Sequence, residues 1–201
     1  MNVVIACIVE GHGDVEAVPI VVRRIAEKID PTIVVNIPRP IRVSRTKIVE
    51  VAELDRAIEL AVRTIDHAGG ILIIQDSDDD CPAALGPKLH DMAVRIRCDV
   101  PIGVVLAKFE FESWFLAAAE SIGGRRGLPN TLSSPCAPET IRGAKEWLSH
   151  RMEHKYVETL DQPALAALFD LQVARRADSF DKCYREVERL LCSLKARASE
   201  A

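Results

Sequence analysis

Apolar and polar residues alternate along the chain in blocks that predict strands followed by helices. Residues 2–9 form a continuous run rich in β-branched side chains, which is typical of a strand buried on both faces. Apolar runs of strand length recur three times, at residues 32–37, 70–75 and 101–107. Between these runs, apolar residues at helical spacing predict helices over residues 15–29, 51–68 and 87–97.

The last third of the chain has a different pattern. It predicts helices without strands, over residues 110–121, 138–150, 163–170 and 179–197. Strands that alternate with helices predict an α/β fold with a mostly parallel, four-stranded sheet flanked by helices. We therefore expect an α/β core over residues 1–120 and a helical C-terminal extension over 121–201, packed together as a single compact unit.

Composition restricts the class of protein. The 201 residues suit one domain, and no apolar stretch is long enough to span a membrane. The N-terminal residues lack the basic region of a signal peptide, so we expect a cytoplasmic protein. The six cysteines form no C-x-x-C pair, which excludes the usual zinc and disulfide patterns and leaves them as thiols.

Charge gives a mixed indication about nucleic acid. The net charge of −4 argues against it, because nucleic-acid binders usually carry a basic surface. Residues 38–47, however, contain four bases and no acid, and these could contact phosphate or simply form an exposed face. The four candidate phosphate-binding residues are Arg39, Arg42, Arg45 and Lys47.

Acidic residues follow three of the four predicted strands. Glu10 follows the first strand, with Asp14 at the start of the next helix. Asp76 and Asp78 follow the third strand, and Glu112 comes shortly after the fourth. Because ligand sites of open parallel sheets lie at the carboxyl ends of the strands, we expect these acids to form one cluster.

The stretch IIQDSDDD places four aspartates within five positions. Asp76 and Asp78 are two residues apart, so in extended backbone their side chains point to the same side. A hard divalent cation would relieve their repulsion by taking carboxylate oxygens as ligands, and two such ions can assist phosphodiester cleavage. We expect one or two Mg²⁺ or Mn²⁺ ions here, and we expect Asp79 and Asp80 to be solvated.

Other motifs fit the same residues less well. A calcium loop that started at Asp76 would need glycine and glutamate where Cys81 and Pro87 stand. GHGDVE begins like a dinucleotide-binding turn, but Glu16 replaces its third glycine. Gly11 and Gly13 are then expected to form a tight turn. His12 is either a proton shuttle or phosphate donor, or a surface histidine. Trp114 and Phe115 are expected in the core.

A glutamate after the first strand and D-x-D after the third resemble the signature of the Toprim domain of topoisomerases, primases, recombination proteins and small nucleases. VEGHGD and IIQDSDDD match this signature. The whole chain resembles a bacterial Toprim-like family of unknown function, related to the nuclease domain of the overcoming-lysogenization-defect proteins. The matching segments are Glu10–Asp14, Ala17–Pro19, Asp76–Pro82, Glu110–Ala117 and Ser179–Phe180.

The resemblance implies specific roles for the acids. Those nucleases hold two metals, which implies metal ligation by Glu10, Asp14, Asp76, Asp78 and Glu112. Catalysis would rest on four of these five, Glu10, Asp76, Asp78 and Glu112. A lysine near the scissile phosphate is also implied, with Lys145 and Lys155 as open candidates. Because the nucleases are fused to an ATPase, a separate ATPase is an expected partner.

Three functions are compatible with these features. The first is divalent-metal-dependent hydrolysis of phosphodiester bonds in DNA or RNA, as in Toprim nucleases. The second is a non-catalytic, metal-binding Toprim module that assists an ATPase or acts in a toxin–antitoxin or defence system. The third is a phosphohydrolase with Asp76 as nucleophile, which would need a D-x-D-x-T context that Asp80 does not provide.

Overall fold

The computed structural model describes residues 1–65 and 69–200. These residues contain one parallel sheet, in which β2, β1, β4 and β5 lie side by side in that order and β3 also pairs with β1. The predicted α/β class with a mostly parallel sheet is confirmed. The strands are β1 (Asn2–Val9), β2 (Val34–Asn36), β3 (Ile41–Arg42), β4 (Gly69–Asp76) and β5 (Ile102–Ala107).

The sheet has one more strand than the sequence predicted. β2 pairs with the first residues of β1, and β3 pairs with Ile8 and Val9 at its end, so both share one edge of β1. Pro38 and Pro40 lie between the two short strands and cannot donate ladder hydrogen bonds. A two-residue strand such as β3 is also too short to show the two-residue alternation of apolar and polar side chains by which strands are predicted.

Helices flank the sheet and form the C-terminal segment. In chain order they are α1 (Asp14–Ile29), α2 (Arg45–Ile48), α3 (Val51–Val62), α4 (Pro82–Ile96), α5 (Ser113–Ala117), α6 (Ala119–Ile122), α7 (Ala144–Ser149), α8 (Glu158–Ala166), α9 (Leu171–Ala174) and α10 (Asp178–Glu200), with a 3₁₀ turn at Pro138–Thr140. None of the helices within the described ranges combines the length and the apolar character needed to cross a membrane.

Several predicted helix bounds were wrong. The predicted helix 138–150 is interrupted at Gly143. This glycine has a left-handed φ of 71° and is the N-cap of α7. The predicted helix 110–121 is divided into α5 and α6 at Ala118. α4 and α8 begin before Pro87 and Pro163, which the pattern had placed in the first helical turn. The end of the predicted helix 51–68 falls on residues 66–68, outside the described residues.

The two faces of the sheet are covered by different helices. α2, α3 and α4 pack on one face, around residues such as Ile58 and Leu89. α1 and the C-terminal helices share the core on the other face, where Leu165 and Leu190 are fully buried. The C-terminal segment therefore contributes to the main core, while a boundary at residue 120 stays a prediction.

An aromatic cluster anchors the segment after β5 to α10. Trp114 and Phe115 are fully buried, as predicted, and Trp114 packs edge-on against Phe180. The Trp114 Nε1–H donates to Ser179 Oγ at 2.8 Å. The conspicuous Ser179–Phe180 pair thus has a structural role, because it joins the start of α10 to the helix that follows Glu112.

Candidate functional site

A cleft of about 300 Å³ opens at the carboxyl edge of the sheet. Five acids line it. Four of them lie at the ends of three strands and are among the five predicted ligands: Glu10, Asp14, Asp76 and Glu112. The expectation that the strand ends would gather these carboxylates is confirmed for these four. The remaining side chains of the wall are mostly polar or basic, and they include His12, Arg42, Ser44, Lys145, Glu158 and Gln162.

Asp14 is held in place through both of its carboxylate oxygens. It is the first residue of α1 and is 6% exposed. Its Oδ2 accepts the Gly11 backbone N–H at 2.7 Å, and its Oδ1 accepts the Gln162 Nε2–H at 2.6 Å. The side chain therefore has one orientation, set by the turn after β1 and by α8.

Asp76 and Glu10 meet at the ends of neighbouring strands. Asp76 Oδ1 accepts the Phe111 backbone N–H at 2.8 Å, and the Asp76 backbone N–H donates to Glu10 Oε2 at 3.3 Å. Burial and the charges of Asp14 and Glu112 raise the pKa of Asp76 well above its usual value. Burial raises the pKa of Glu10 as well, and the Asp78 charge adds to this. A bound cation would lower both pKa values.

Glu112 is the most deeply buried acid of the cleft. Its side chain is inaccessible to solvent, and its Oε1 accepts the Tyr156 hydroxyl at 2.9 Å. No hydrogen bond to its Oε2 is found among the described residues. Burial raises the Glu112 pKa to about 8, against the opposing charge of Lys145. A buried carboxylate oxygen without a partner is rare in proteins, and at a cleft wall it suggests a ligand.

Lys145 places a positive charge among these acids. Its Nζ lies 2.9 Å from Glu158 Oε1, and its backbone N–H donates to Glu110 Oε2 at 3.1 Å. Burial lowers the Lys145 pKa, but the Glu112 charge and the hydrogen bond to Glu158 outweigh burial and raise it overall. Of the two lysines left open by the sequence, Lys145 lines the cleft, whereas Lys155 is exposed and does not.

The expected side-by-side arrangement of Asp76 and Asp78 was wrong. β4 ends at Asp76, and Asp78 has a left-handed φ of 47°. The turn forms because the Asp78 backbone N–H donates to the Phe109 carbonyl at 3.2 Å. Asp78 is exposed and does not line the cleft, although its charge acts on Glu10. A role as a metal ligand therefore stays a prediction for Asp78.

The next two aspartates are exposed and pair with arginines. Asp80 pairs with Arg45, which is only 9% exposed, and Asp79 pairs with Arg142. The expectation that both acids are merely solvated was therefore incomplete. Among the four candidate phosphate-binding bases, Arg42 lines the cleft and Arg45 is engaged by Asp80. The other two, Arg39 and Lys47, are exposed outside the cleft wall.

Three residues of the site were missed by sequence reasoning: Tyr156, Glu158 and Gln162. They precede or belong to α8, far along the chain from the strands, and nothing in their spacing indicates the cleft. Gly13 was an indirect indication in the sequence that another segment packs closely against the start of α1. A Cβ at Gly13 would overlap Gln162 Oε1 and lie 2.8 Å from the Glu158 carbonyl oxygen. Since its φ of −68° suits any residue, Gly13 serves this close approach rather than a special turn.

The donor chemistry of the cleft suits a hard cation. Carboxylate oxygens are the ligands that Mg²⁺ and Mn²⁺ prefer, and an unpartnered Glu112 Oε2 could accept such an ion. Burial, with the charges of neighbouring acids, raises the pKa values of Asp76 and Glu112, and a bound cation would favour their charged forms. No group of three or more possible ligands is already arranged around one point within residues 1–65 and 69–200.

The fold and the cleft define an α/β protein with an acidic pocket at the carboxyl edge of a parallel sheet. The chain belongs to the family described as a domain of unknown function, DUF4276, whose model matches residues 9–188. That span contains every residue of the cleft wall. No curated protein and no solved structure is significantly similar to the chain.

Proposed function

We propose that this protein is a divalent-metal-dependent hydrolase of phosphodiester bonds in DNA or RNA, of the Toprim nuclease type. The proposal rests on the unpartnered Oε2 of Glu112, buried at the wall of a cleft with four more carboxylates. The resemblance to Toprim nucleases supports it, because it assigns metal ligation to four of these five acids. The setting we propose is the cytoplasm, with a separate ATPase as a possible partner class.

Each side chain of the cleft has a definite task in this proposal. Glu10, Asp14, Asp76 and Glu112 would hold Mg²⁺ or Mn²⁺, with Asp78 available from the adjacent turn. The ion, when bound, supplies Lewis-acid polarisation of the phosphate and a water of lowered pKa. Gln162 and Tyr156 keep Asp14 and Glu112 oriented through their hydrogen bonds. No rearrangement of these two acids is then needed as substrate binds.

The bases of the cleft are suited to the substrate phosphate. Lys145 and Arg42 line the cleft together with the acids, so a phosphodiester bound there would meet positive side chains as well as carboxylates. The four acids repel a phosphate when no cation is present, since like charges that approach in a partly buried cleft are poorly screened. Substrate binding should therefore depend on the metal ion.

The test compares the wild type with Asp76→Asn in two measurements. Calorimetric titration of the metal-stripped proteins with Mn²⁺ and Mg²⁺ should show saturable binding that the variant loses. Cleavage of labelled DNA and RNA should fall at least about 100-fold in the variant, as when one preorganised group is removed from an active site. The matched control is Asp55→Asn, which removes an exposed acid on α3, and it should bind and cleave like the wild type.

Two outcomes would contradict the proposal. Undiminished cleavage by Asp76→Asn would contradict the assignment of this cleft as the active site. Metal binding by the wild type, with no cleavage of any DNA or RNA substrate, would instead favour the non-catalytic module that assists an ATPase or a defence system. Circular dichroism of the variant should show an intact fold, because burial disfavours the charge of Asp76 and raises its pKa, and asparagine carries no charge there.

A further inference from the structure

Phe109 has a backbone conformation that packing alone does not explain. Its φ of 61° lies in the left-handed region, where a bulky aromatic residue is strained. The neighbouring aromatic residues Phe111, Trp114 and Phe115 are fully buried, whereas Phe109 stays half-buried at the surface. Strain of this kind persists mostly where a side chain has a function, which makes the surroundings of Phe109 informative.

Cations lie against the ring of Phe109. Lys108 Nζ lies 4.1 Å from the ring centroid, and Arg142 Cζ lies 4.6 Å from it. The Arg142 side chain is 67% exposed and pairs with Asp79, which is itself 76% exposed. An exposed ion pair contributes little stability, so a phosphate can replace Asp79 as the partner of Arg142 at low cost.

This patch of Lys108, Phe109 and Arg142 is built on the same segments as the cleft. The Phe109 backbone N–H donates to Ser77 Oγ at 3.0 Å, directly after Asp76. Two residues beyond Phe109, the Phe111 N–H holds Asp76. Arg142 stands three residues before Lys145, whose backbone is bound by Glu110. The cleft and the patch therefore share their supporting segments, so one nucleic-acid strand could contact both.

We propose that Phe109, with Lys108 and Arg142, is a stacking subsite for an unpaired base of single-stranded nucleic acid. This inference rests on the proposed function, since it assumes that a phosphate of the same strand lies in the cleft. Single-strand binding proteins combine aromatic rings for bases with cations for phosphates, and each stacked base adds measurable affinity. In a duplex the base faces are already stacked on one another, so the subsite favours single strands.

The test measures the affinity of a short fluorescent single-stranded oligonucleotide by anisotropy, with the same sequence as a duplex for comparison. To slow cleavage while Asp76 and the other cleft acids stay in place, Ca²⁺ replaces Mg²⁺ during the binding measurement. Phe109→Gly and Phe109→Leu should weaken single-strand binding about tenfold, equal to about 1.4 kcal/mol. Phe109→Trp keeps a flat ring, so it should retain the affinity, and bound bases should quench the new indole. Duplex affinity should change little in every variant.

Stability separates a lost subsite from a lost fold. Glycine adopts the left-handed region without strain, so Phe109→Gly should melt no lower than the wild type. Single-strand affinity that is equal in the wild type, Phe109→Gly and Phe109→Leu would overturn the subsite, as would equal losses for single strands and duplex. Absence of any wild-type binding would overturn it too. Phe109-dependent binding without cleavage by the protein with Asp76 intact would overturn hydrolysis alone.

Discussion

Glu112 links the stability of the protein to pH through a single buried carboxyl group. Its pKa is about 8 in the folded protein, because burial disfavours the charged form, against an ordinary value of 4.5. The folded state therefore binds a proton that the unfolded state releases above about pH 4.5. The stability that this proton provides is complete below that pH and is lost as the pH rises through about 8. Asp76 and Glu10 act in the same direction.

We expect the metal-free protein to be less stable at about pH 8 than at about pH 5.5, with Glu112 contributing up to about 1.4 kcal/mol per pH unit. The glutamine of Glu112→Gln carries no charge at either pH. The variant should therefore reduce the slope of unfolding free energy against pH, and the parts of the slope due to Asp76 and Glu10 should remain. Urea unfolding with chelator at several pH values measures the slope. The control, Glu16→Gln, removes an exposed acid and should keep the wild-type slope. An unchanged slope in Glu112→Gln would contradict the prediction.

α8 is the element that completes the cleft, and its position depends on Gly13. The helix brings Glu158 and Gln162 to the wall, and Gln162 binds Asp14 across 148 positions of sequence. At Gly13 there is no room for a Cβ, because the Glu158 carbonyl oxygen would lie 2.8 Å from it. The Glu158 carbonyl belongs to the backbone and cannot move aside as the end of a flexible side chain can. A Cβ at Gly13 would therefore require α8 as a whole to move.

Gly13→Ala should lower the free energy of unfolding by about 1–3 kcal/mol, the usual cost of overpacking. It should also weaken metal binding, because displacement of α8 separates Gln162 from Asp14. Chemical denaturation and calorimetry measure the two effects. The matched control is Gly86→Ala in α4, where an added Cβ meets nothing within 4 Å, and it should stabilise the protein by about 0.5–1 kcal/mol. If both variants are equally stable, α8 is not positioned by Gly13.

α10 covers the part of the sheet face, over β4 and β5, that residues 1–120 would otherwise leave exposed beside α1. A Cβ at Gly70 would touch Leu190 at 3.5 Å, and one at Gly103 would lie 3.3 Å from it. The glycines of β4 and β5 thus let the helix lie close to the strands. Leu72 and Val105 on this face belong to the same core as Leu190. The helical extension and the α/β core therefore depend on each other for burial of apolar surface.

A fragment of residues 1–120 should fail to fold on its own, because it lacks α8 and α10 and exposes the apolar face that they cover. Amide dispersion in an NMR spectrum and a cooperative melting transition measure its folding, with the full chain as the reference. We expect narrow dispersion and no transition. A cooperatively folded fragment would instead establish residues 1–120 as an independent domain to which the helical extension is added.

Local sequence pattern was sufficient for most of the sheet and for the location of the cleft. Three strands were predicted within a few residues, because each is a continuous apolar run buried on both faces, namely β1, β4 and β5. Glu10 directly follows β1 and Asp76 is the last residue of β4, so parallel neighbours bring them to one edge. The class of the fold and the gathering of four acids in one cleft required no knowledge of distant contacts.

The tertiary structure decided what that pattern could not contain. The Asp78 backbone binds the Phe109 carbonyl, and the Asp78 side chain lies outside the cleft. Arg45 pairs with Asp80, and Lys145 rather than Lys155 lines the cleft. These outcomes depend on groups far apart in sequence, whose meeting is set by how α7, α8 and the segment after β5 pack on the sheet. Periodicity records which face of an element is buried, but not which distant side chain it will meet.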